Sequence, residues 1–240
     1  MKKTGYHNNF HIFKFPHFQI ILLLLVPILV QAQIRYSLTT DISAMRNFDG
    51  KQPFTVPGQS VGLQWHPDKR YSLYSYFTYH GHGRYLNNLQ ANAKQPSTQP
   101  QVINFANRSE MRLHHLSVGV KKWLNGSFRN TEQLTLYLTG GFGLIMGKAF
   151  NTFNVAVDTS VYTIQDNIVS GSGDFKRLSL DLSAGLEYPM GYAFFIFSEA
   201  RVMIPTTSYP SNYLLKNNNA PFLGSLNIGV RIIFNDDQEE

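Results

Sequence analysis

The sequence predicts an all-β protein, an eight-stranded antiparallel up-and-down β-barrel that crosses a membrane. Three observations support this fold class. Apolar residues recur at every second position, which is the period of a β-strand. The connections between these stretches alternate between short and long. No long apolar run follows residue 32 and the mean hydropathy is −0.20, which argues against transmembrane helices but fits a barrel, because alternating strands average to neutral hydropathy.

The first 32 residues are predicted to be a secretory signal peptide. Three lysines precede an apolar run over residues 20–30, and the segment VQA, ending at Ala32, provides a cleavage site. The run is shorter than the roughly 20 residues that a membrane-spanning helix requires. The chain therefore divides into a signal peptide (1–32), a β-barrel (33–235) and a short acidic periplasmic tail (236–240).

Charge and cysteine content narrow the function classes further. The formal charge is +6, but three lysines belong to the signal peptide, and without them 18 basic residues face 15 acidic ones. Such weak basicity gives no support for nucleic-acid binding. The chain has no cysteine, so it has neither a disulfide framework nor a lipidated cysteine. No cofactor motif is found, and no cofactor is expected.

Eight stretches show the period-two pattern, with aromatic and β-branched residues enriched. The clearest is the sixth, in which leucines alternate with serine, aspartate and glutamate. The eighth carries apolar residues at every second position and ends in an aromatic residue. The predicted strands are Ile34–Met45, Ser60–Trp65, Tyr71–His80, Met111–Trp123, Leu134–Leu144, Leu178–Tyr188, Tyr192–Ile204 and Gly224–Phe234.

The connections sort by length, as a transmembrane barrel with both termini in the periplasm requires. Short connections follow strands two, four and six, and they are His66–Lys69, Asn125–Gln133 and Pro189–Gly191. Long connections follow strands one, three, five and seven, and they are Asn47–Pro57, Gly81–Ser109, Gly147–Asp174 and Pro205–Pro221.

Aromatic residues cluster where the strands meet the short connections, as expected of an aromatic girdle at a membrane interface. One of them, Trp123, is out of step with the apolar residues of its strand, so either the strand contains a bulge or the indole points inward. The predicted periplasmic girdle consists of Tyr36, Trp65, Tyr71, Trp123, Tyr188, Tyr192 and Phe234.

These patterns resemble the small outer-membrane β-barrels of the OmpA-transmembrane and OmpX kind, especially the version found in Bacteroidota-like Gram-negative bacteria. The resemblance lies in the VQAQ cleavage region, the segment SAGLEYPMG between strands six and seven, and the closing NIGVRIIF. It implies an outer-membrane location and a last strand that the barrel assembly machinery recognises. Family members commonly stop at the terminal aromatic, whereas six residues follow it here. The residues that match the assembly signal are Ile228, Val230, Ile232 and Phe234.

The polar faces of the predicted strands carry balanced charges. Eight strands enclose a space that side chains can just fill, and buried charges are costly unless they are paired. We therefore expect a closed, salt-bridged interior and no open pore. The predicted network consists of Arg35, Lys121, Arg201 and Arg231 with Asp41, Asp181, Glu187 and Glu199.

Two histidine patterns have a catalytic or metal-binding alternative. His115 and Ser117 resemble the His-x-Ser of outer-membrane lipid A deacylases, but Val118 replaces the asparagine that follows the serine there, and spacing assigns no acidic partner. We expect both to form interior hydrogen bonds, without catalysis. His80 and His82 lie at a strand end without a third ligand in view, so we expect no metal site.

The long connections are where a surface function would lie. The connection Gly81–Ser109 is rich in Asn, Gln and Pro and is expected to be a mobile, solvated loop. The connection after strand five is expected to form a hairpin that extends strands five and six, although its segment TSVYTIQDNIV could pair otherwise. Two further spanning strands are the alternative, but each arm is shorter than the roughly 9 to 11 residues required.

The function predicted from the sequence is a structural or surface-interaction role of a monomeric outer-membrane protein that is not an enzyme. Its expected partners are outer-membrane lipid and the barrel assembly machinery, and a protein bound at the extracellular loops is a further candidate. Three alternatives stay open: a deacylase-like lipid-modifying enzyme, an accessory barrel of a secretion machinery, and a soluble lipocalin-like barrel.

Overall fold

The computed structural model describes residues 35–215 and 222–234. The predicted signal peptide, Ile34 at the start of the first predicted strand, and the acidic tail over 236–240 lie outside these residues. In the described part of the chain, no helix is long and apolar enough to cross a membrane. The strands are β1 (Tyr36–Asn47), β2 (Phe54–Trp65), β3 (Tyr71–Ala93), β4 (Val102–Trp123), β5 (Thr135–Phe153), β6 (Tyr162–Ile164), β7 (Gly171–Pro189), β8 (Phe194–Pro205) and β9 (Leu223–Phe234), with a 3-10 turn at Gln165–Asn167.

Eight of these strands close into an antiparallel ring. The strands β1 to β5 pair in chain order, and β5 then pairs with β7. The ring continues through β8 and β9, and β9 pairs back to β1. The predicted eight-stranded up-and-down barrel is therefore confirmed. The short β6 pairs with Ala91–Ala93 of β3 outside this ring, so the segment TSVYTI pairs with a different strand from the two that it connects.

Connection length sorts the two ends of the barrel only in part. The turn end carries the connections over residues 66–70, 124–134 and 190–193. The loop end carries those over 48–53, 94–101 and 154–170 and the one between β8 and β9. The connections over 48–53 and 94–101 are shorter than the one over 124–134, because β2, β3 and β4 extend into the predicted long loops. β5 and β7 extend toward the loop end as expected, and Asn151 pairs with Gly171. The prediction for Gly81–Ser109 is wrong, because β3 and β4 continue through most of it as a paired ribbon.

The reason for that error is an inversion of polarity along the wall. In the turn-end half, apolar side chains face outward and polar ones face inward, as at Leu116 and Ser117. In the ribbon, Tyr85 and Leu89 are buried inside, whereas Arg84 faces outward. The period-two pattern therefore continues into the ribbon, but there apolar side chains face inward and polar ones face outward. A register irregularity between His80 and Gly83 accompanies the change.

Outward-facing apolar residues form a band around the turn-end half of the barrel. Ile42, Phe142 and Leu226 are 70%, 71% and 68% exposed, and they stand on β1, β5 and β9 respectively. Along each of these strands, exposed apolar positions largely alternate with buried polar positions. The apolar faces predicted from the sequence are therefore turned away from the centre of the barrel.

Side chains fill the interior at both ends. At the turn end, Trp123, Tyr137 and Phe195 pack with Phe128, which comes from the connection between β4 and β5. At the loop end, a larger apolar cluster fills the space. It includes residues from the strands and from two connections: Met45, Phe54, Val56, Tyr85, Leu89, Ala91, Phe105, Met111, Leu113, Ile145, Ala149, Tyr162, Ile164, Ile168, Phe175, Met203, Leu214, Leu215 and Leu223.

Candidate functional site

A buried ion cluster lies near the turn end, where β4, β7 and β9 face one another. Arg231 is fully buried and donates from Nε to Glu187 Oε2 at 3.0 Å, with a second hydrogen bond from its NH2 group to the other carboxylate oxygen. Lys121 Nζ lies 3.5 Å from Glu187 Oε2. Arg231 also donates to Ser37 Oγ at 3.0 Å and to the Phe128 carbonyl at 2.7 Å. One carboxylate thus holds two cations, and each nitrogen of the arginine makes at least one hydrogen bond.

Trp123 belongs to this cluster, so its prediction as a girdle residue is wrong. The residue is 1% exposed, and its indole donates to Ser72 Oγ at 3.3 Å. Lys121 Nζ lies 3.9 Å from the centre of its ring and 3.6 Å from that of Tyr137. The pairing of β3 with β4 is uninterrupted in this region, so no bulge is involved. The indole points inward because a buried cation gains from an aromatic face.

A second group of charges occupies the middle of the interior. Arg201 donates to Glu199 Oε1 from Nε at 2.9 Å and from NH2 at 2.6 Å, and its guanidinium lies 3.8 Å from the centre of the Tyr76 ring. Asp41 accepts a hydrogen bond from Ser60. Arg35 departs from the predicted set, because it precedes β1 and is only half-buried.

His115 and Ser117 meet the acidic partner that spacing could not assign. Asp181 on β7 accepts from Ser117 at 2.5 Å and from Ser179 at 2.8 Å, and it lies 3.0 Å from His115 Nε2. A catalytic triad would place the imidazole between serine and carboxylate. Here Asp181 is the centre, and the serine bonds directly to it. His115, Ser117 and Asp181 are each at most 1% exposed, so the hydroxyl lies inside the barrel wall and not at its lipid-facing surface.

His80 and His82 lie on opposite sides of the barrel wall. His80 is 2% exposed and faces inward. His82 faces outward, and its Nδ1 lies 2.8 Å from Glu110. One metal ion could not contact both. Among the residues that the structure describes, no group of three His, Cys, Asp or Glu side chains is placed to hold a metal ion.

The interior is not polar throughout, which corrects the prediction of a polar interior. The loop-end half contains the apolar cluster described above beside buried polar residues such as Asn107, Asn151 and Arg177. The cavity among the charged residues, lined by Asp41, Lys121 and Glu199, measures about 20 Å³, and the one beneath the loop-end connections is of the same size. Each has room for about one water molecule.

The loop-end connections are tied to the wall by polar side chains. Asn151 on β5 accepts from Ser109 at 2.7 Å and donates to the Tyr213 carbonyl at 2.9 Å. Val169 N donates to the Asn212 carbonyl at 2.8 Å, which joins the two longest described connections. Tyr85 donates to Gln52 at 3.2 Å, and burial raises the pKa of its hydroxyl to about 12.

The other predicted girdle residues are exposed at the turn end. Their positions are adjacent: Tyr36 pairs with Trp65 on one side and with Phe234 on the other. The rings of Tyr36 and Phe234 stack with centroids 5.3 Å apart. The exposed fractions are 39% for Tyr36, 42% for Trp65, 43% for Tyr71, 55% for Tyr188, 78% for Tyr192 and 38% for Phe234.

The last strand presents the predicted assembly signal on one outer face. Ile228, Val230 and Phe234 are 60%, 40% and 38% exposed, and Ile232 is half-buried. β9 pairs with β1 along its whole length, from Leu223 to Phe234. The strand that carries the signal is therefore the strand that closes the ring.

Glu110 is the centre of an outward-facing ionic group on the ribbon of β3 and β4. It lies 2.8 Å from His82, 3.4 Å from Arg84 and 3.2 Å from Arg112. Partial burial alone would raise the pKa of the carboxyl, but the hydrogen bonds from Arg112 and Arg84 and the charge of His82 outweigh it and lower the pKa below its ordinary value. This group was not predicted from the sequence, because His82 and Arg84 fell in the predicted loop Gly81–Ser109, whereas Glu110 and Arg112 lie at and beyond its end.

Comparison with known proteins is informative at the level of fold. No family model and no curated protein matches the chain. Among solved structures, Ail of Yersinia pestis aligns with a TM-score of 0.47 and 14% identity over 85% of this chain and 100% of that one. OprG from Pseudomonas aeruginosa aligns with a TM-score of 0.48 and 8% identity over 84% and 96%. Neisserial surface protein A aligns with a TM-score of 0.53 and 11% identity over 83% and 97%, so the chain has the fold of a small outer-membrane β-barrel protein.

Proposed function

We propose that this chain is an outer-membrane barrel with a structural or surface-interaction role, exported by the signal peptide at residues 1–32 and anchored by its outward apolar band. The observation that carries the proposal is the combination of that band with a polar, ion-paired interior. Ile42, Phe142 and Leu226 are about two-thirds exposed, which would be unfavourable over so large an area in water. A closed ring leaves no strand edge unpaired within a bilayer.

The turn end then faces the periplasm and the loop end faces outward. This orientation is supported by the two longest connections, the one over 154–170 and the one between β8 and β9, which lie at the loop end, since extracellular loops are the long ones in such barrels. The exposed aromatics at the turn end, among them Tyr36 and Trp65, would lie at the periplasmic interface. The assembly machinery would read the outer face of β9 during insertion. A Bacteroidota-type source is the finer proposal that the sequence patterns favour.

Membrane fractionation and gel migration test the anchoring. The mature chain should sediment with the outer membrane, require detergent for extraction, and migrate differently before and after boiling. Protease added to intact cells should cleave only within the loop-end connections. Recovery of the chain in the soluble fraction would instead favour the lipocalin-like alternative.

The closed interior favours a role without transport or catalysis. Reconstitution into planar bilayers should give no stable conductance, because the cavities hold about one water each. Ser117→Ala should leave the lipid A acylation pattern of the host unchanged, since Ser117 donates to a buried carboxylate. A changed pattern with normal barrel assembly would establish the deacylase alternative, and a stable co-purifying membrane complex would establish the secretion alternative.

A further inference from the structure

A cluster of cations stands on the outer surface of β3, β4 and β5, just beyond the apolar band. We call this the loop-end cation patch, and it consists of Arg84, Arg108, Arg112 and Lys148 around Glu110. Arg84 pairs across the sheet with Glu110, and Lys148 pairs with Arg112, so the side chains are neighbours on one face. The side chains of Arg84 and Arg112 are 75% and 45% exposed.

The charges of the patch are not balanced within the protein. Its four cations face two carboxylates: Glu110, which contacts Arg84 and Arg112, and Asp174 on β7, which lies opposite Lys148. Lys176, on the same outer face of β7, adds a fifth cation. The net charge of this surface therefore stays positive. Such a surface attracts anions more strongly than it stabilises the fold.

The patch also has apolar character. Arg112 and Lys148 lie 5.2 and 5.3 Å from the centre of the Phe150 ring. Leu86 is 61% exposed beside them, and a groove of about 720 Å³ is lined by Leu86 and Phe150 together with Arg84, Arg108 and Glu110. Cationic rims beside exposed apolar side chains suit an amphipathic ligand better than a free ion.

The position of the patch relative to the band identifies the ligand. Phe77 and Leu116, on the same strands, are 47% and 42% exposed on the outer face. Arg112 precedes Leu116 by four residues, so it lies about 13 Å nearer the loop end along the extended strand. In a barrel embedded by its apolar band, this distance takes the guanidinium from the acyl chains to the level of the headgroups.

We propose that the loop-end cation patch binds a phosphate-bearing lipid of the surrounding outer leaflet, with the phosphates on its arginines and lysine and part of an acyl chain along Phe150 and Leu86. This inference rests on the proposed membrane anchoring. Arginine suits the phosphate because its planar fork donates two parallel hydrogen bonds to phosphate oxygens. The bound lipid would fix the ribbon of β3 and β4 against the membrane surface.

Native mass spectrometry of the full mature chain in detergent tests the proposal, with diphosphoryl lipid A as the probe and phosphatidylcholine as the neutral comparison. The triple variant Arg84→Gln, Arg112→Gln, Lys148→Gln should bind diphosphoryl lipid A about ten- to a hundredfold more weakly, since each cation near an anionic surface contributes roughly fivefold. Glu110→Gln removes one of the opposing charges and should bind it several-fold more tightly. A merely structural role would not produce opposite effects.

A matched control carries the same charge change at the other end of the barrel. The variant Lys69→Gln, Arg70→Gln, Lys122→Gln alters three exposed cations of the turn end and should bind the probe as the unaltered protein does. Equal binding by all variants, or equal affinity for phosphatidylcholine, would overturn the proposal. Heparin or inorganic phosphate that displaces the lipid completely at low concentration would also overturn it, in favour of a soluble anion. Each variant is first checked for heat-dependent gel migration and membrane sedimentation, so a failure of anchoring is seen separately from a failure of lipid binding.

Discussion

Removal of the Glu187 carboxylate tests whether charge pairing holds the turn-end ion cluster together. Glu187 is 2% exposed, lies 3.5 Å from Lys121 Nζ and accepts from Arg231 at 3.0 Å. Glu187→Gln keeps the shape of the side chain but leaves two buried cations without their shared anion. Breaking a buried pair in this way generally costs about 3–5 kcal/mol, so we expect the free energy of unfolding to fall by that amount. Urea titration of the barrel in lipid vesicles, followed by tryptophan fluorescence, measures the change.

Two further variants make this measurement decisive. Glu110→Gln also removes a carboxylate with cationic partners, but that group lies on the outer surface, where such pairs contribute at most about 1 kcal/mol. The double variant Glu187→Gln, Lys121→Met removes one of the stranded cations and keeps an apolar chain between the rings of Trp123 and Tyr137. It should recover part of the lost stability. A loss below about 1 kcal/mol for Glu187→Gln, equal to that of Glu110→Gln, would refute the reasoning.

Two more predictions test the direction in which side chains point, and a third tests the ion pairs of Glu110. In single-tryptophan variants placed in vesicles of brominated lipid, the fluorescence of Trp65 should be quenched and that of Trp123 should not, because Trp65 is exposed and Trp123 is buried. Equal quenching would place Trp123 on the outer surface. The chain has no cysteine, so single cysteines can be labelled selectively. In membranes, a cysteine at Leu116→Cys should resist an impermeant maleimide, whereas one at Arg108→Cys should react. Equal labelling of the two would contradict the proposal that the apolar band lies in lipid. The pKa of Glu110 lies below its ordinary value, so its ion pairs contribute stability above the unfolded pKa and lose it as the pH falls through the folded pKa. A carbon-13 titration of Glu110 with a midpoint at or above the ordinary value would contradict this.

The strand pattern of the turn-end half could be predicted because each residue there has only two environments. The outer face is apolar and the inner face is polar, so alternation alone assigned the direction of Leu178 and Ser179. The same parity placed Trp123 with His115 and Ser117 on the inner face, and the structure bears this out. The girdle prediction is wrong for Trp123 because the position of a residue in the strand alternation, and not its aromatic character, determines the side of the wall on which it lies.

The loop-end half could not be predicted in the same way, because its environments are reversed. Asn88 and Gln90 face outward on the ribbon, and Leu89 and Ala91 face inward. Composition alone suggests a solvated loop for such a segment. The partner of His115 was also out of reach, because Asp181 lies 66 residues later in the chain and reaches it across β5. Only the closed ring brings these residues together.

The closure of both ends determines where any function must lie. At the turn end, Phe128 enters from a connection and packs against Trp123, while its carbonyl accepts from Arg231. At the loop end, Leu214 and Ile168 enter from two other connections and complete the apolar cluster. Side chains from the connections therefore fill part of the space that the strands enclose at both ends. With the closed interior proposed above, the surface available to a partner lies on the outer wall and the loop-end rim, where the apolar band gives way to exposed cations.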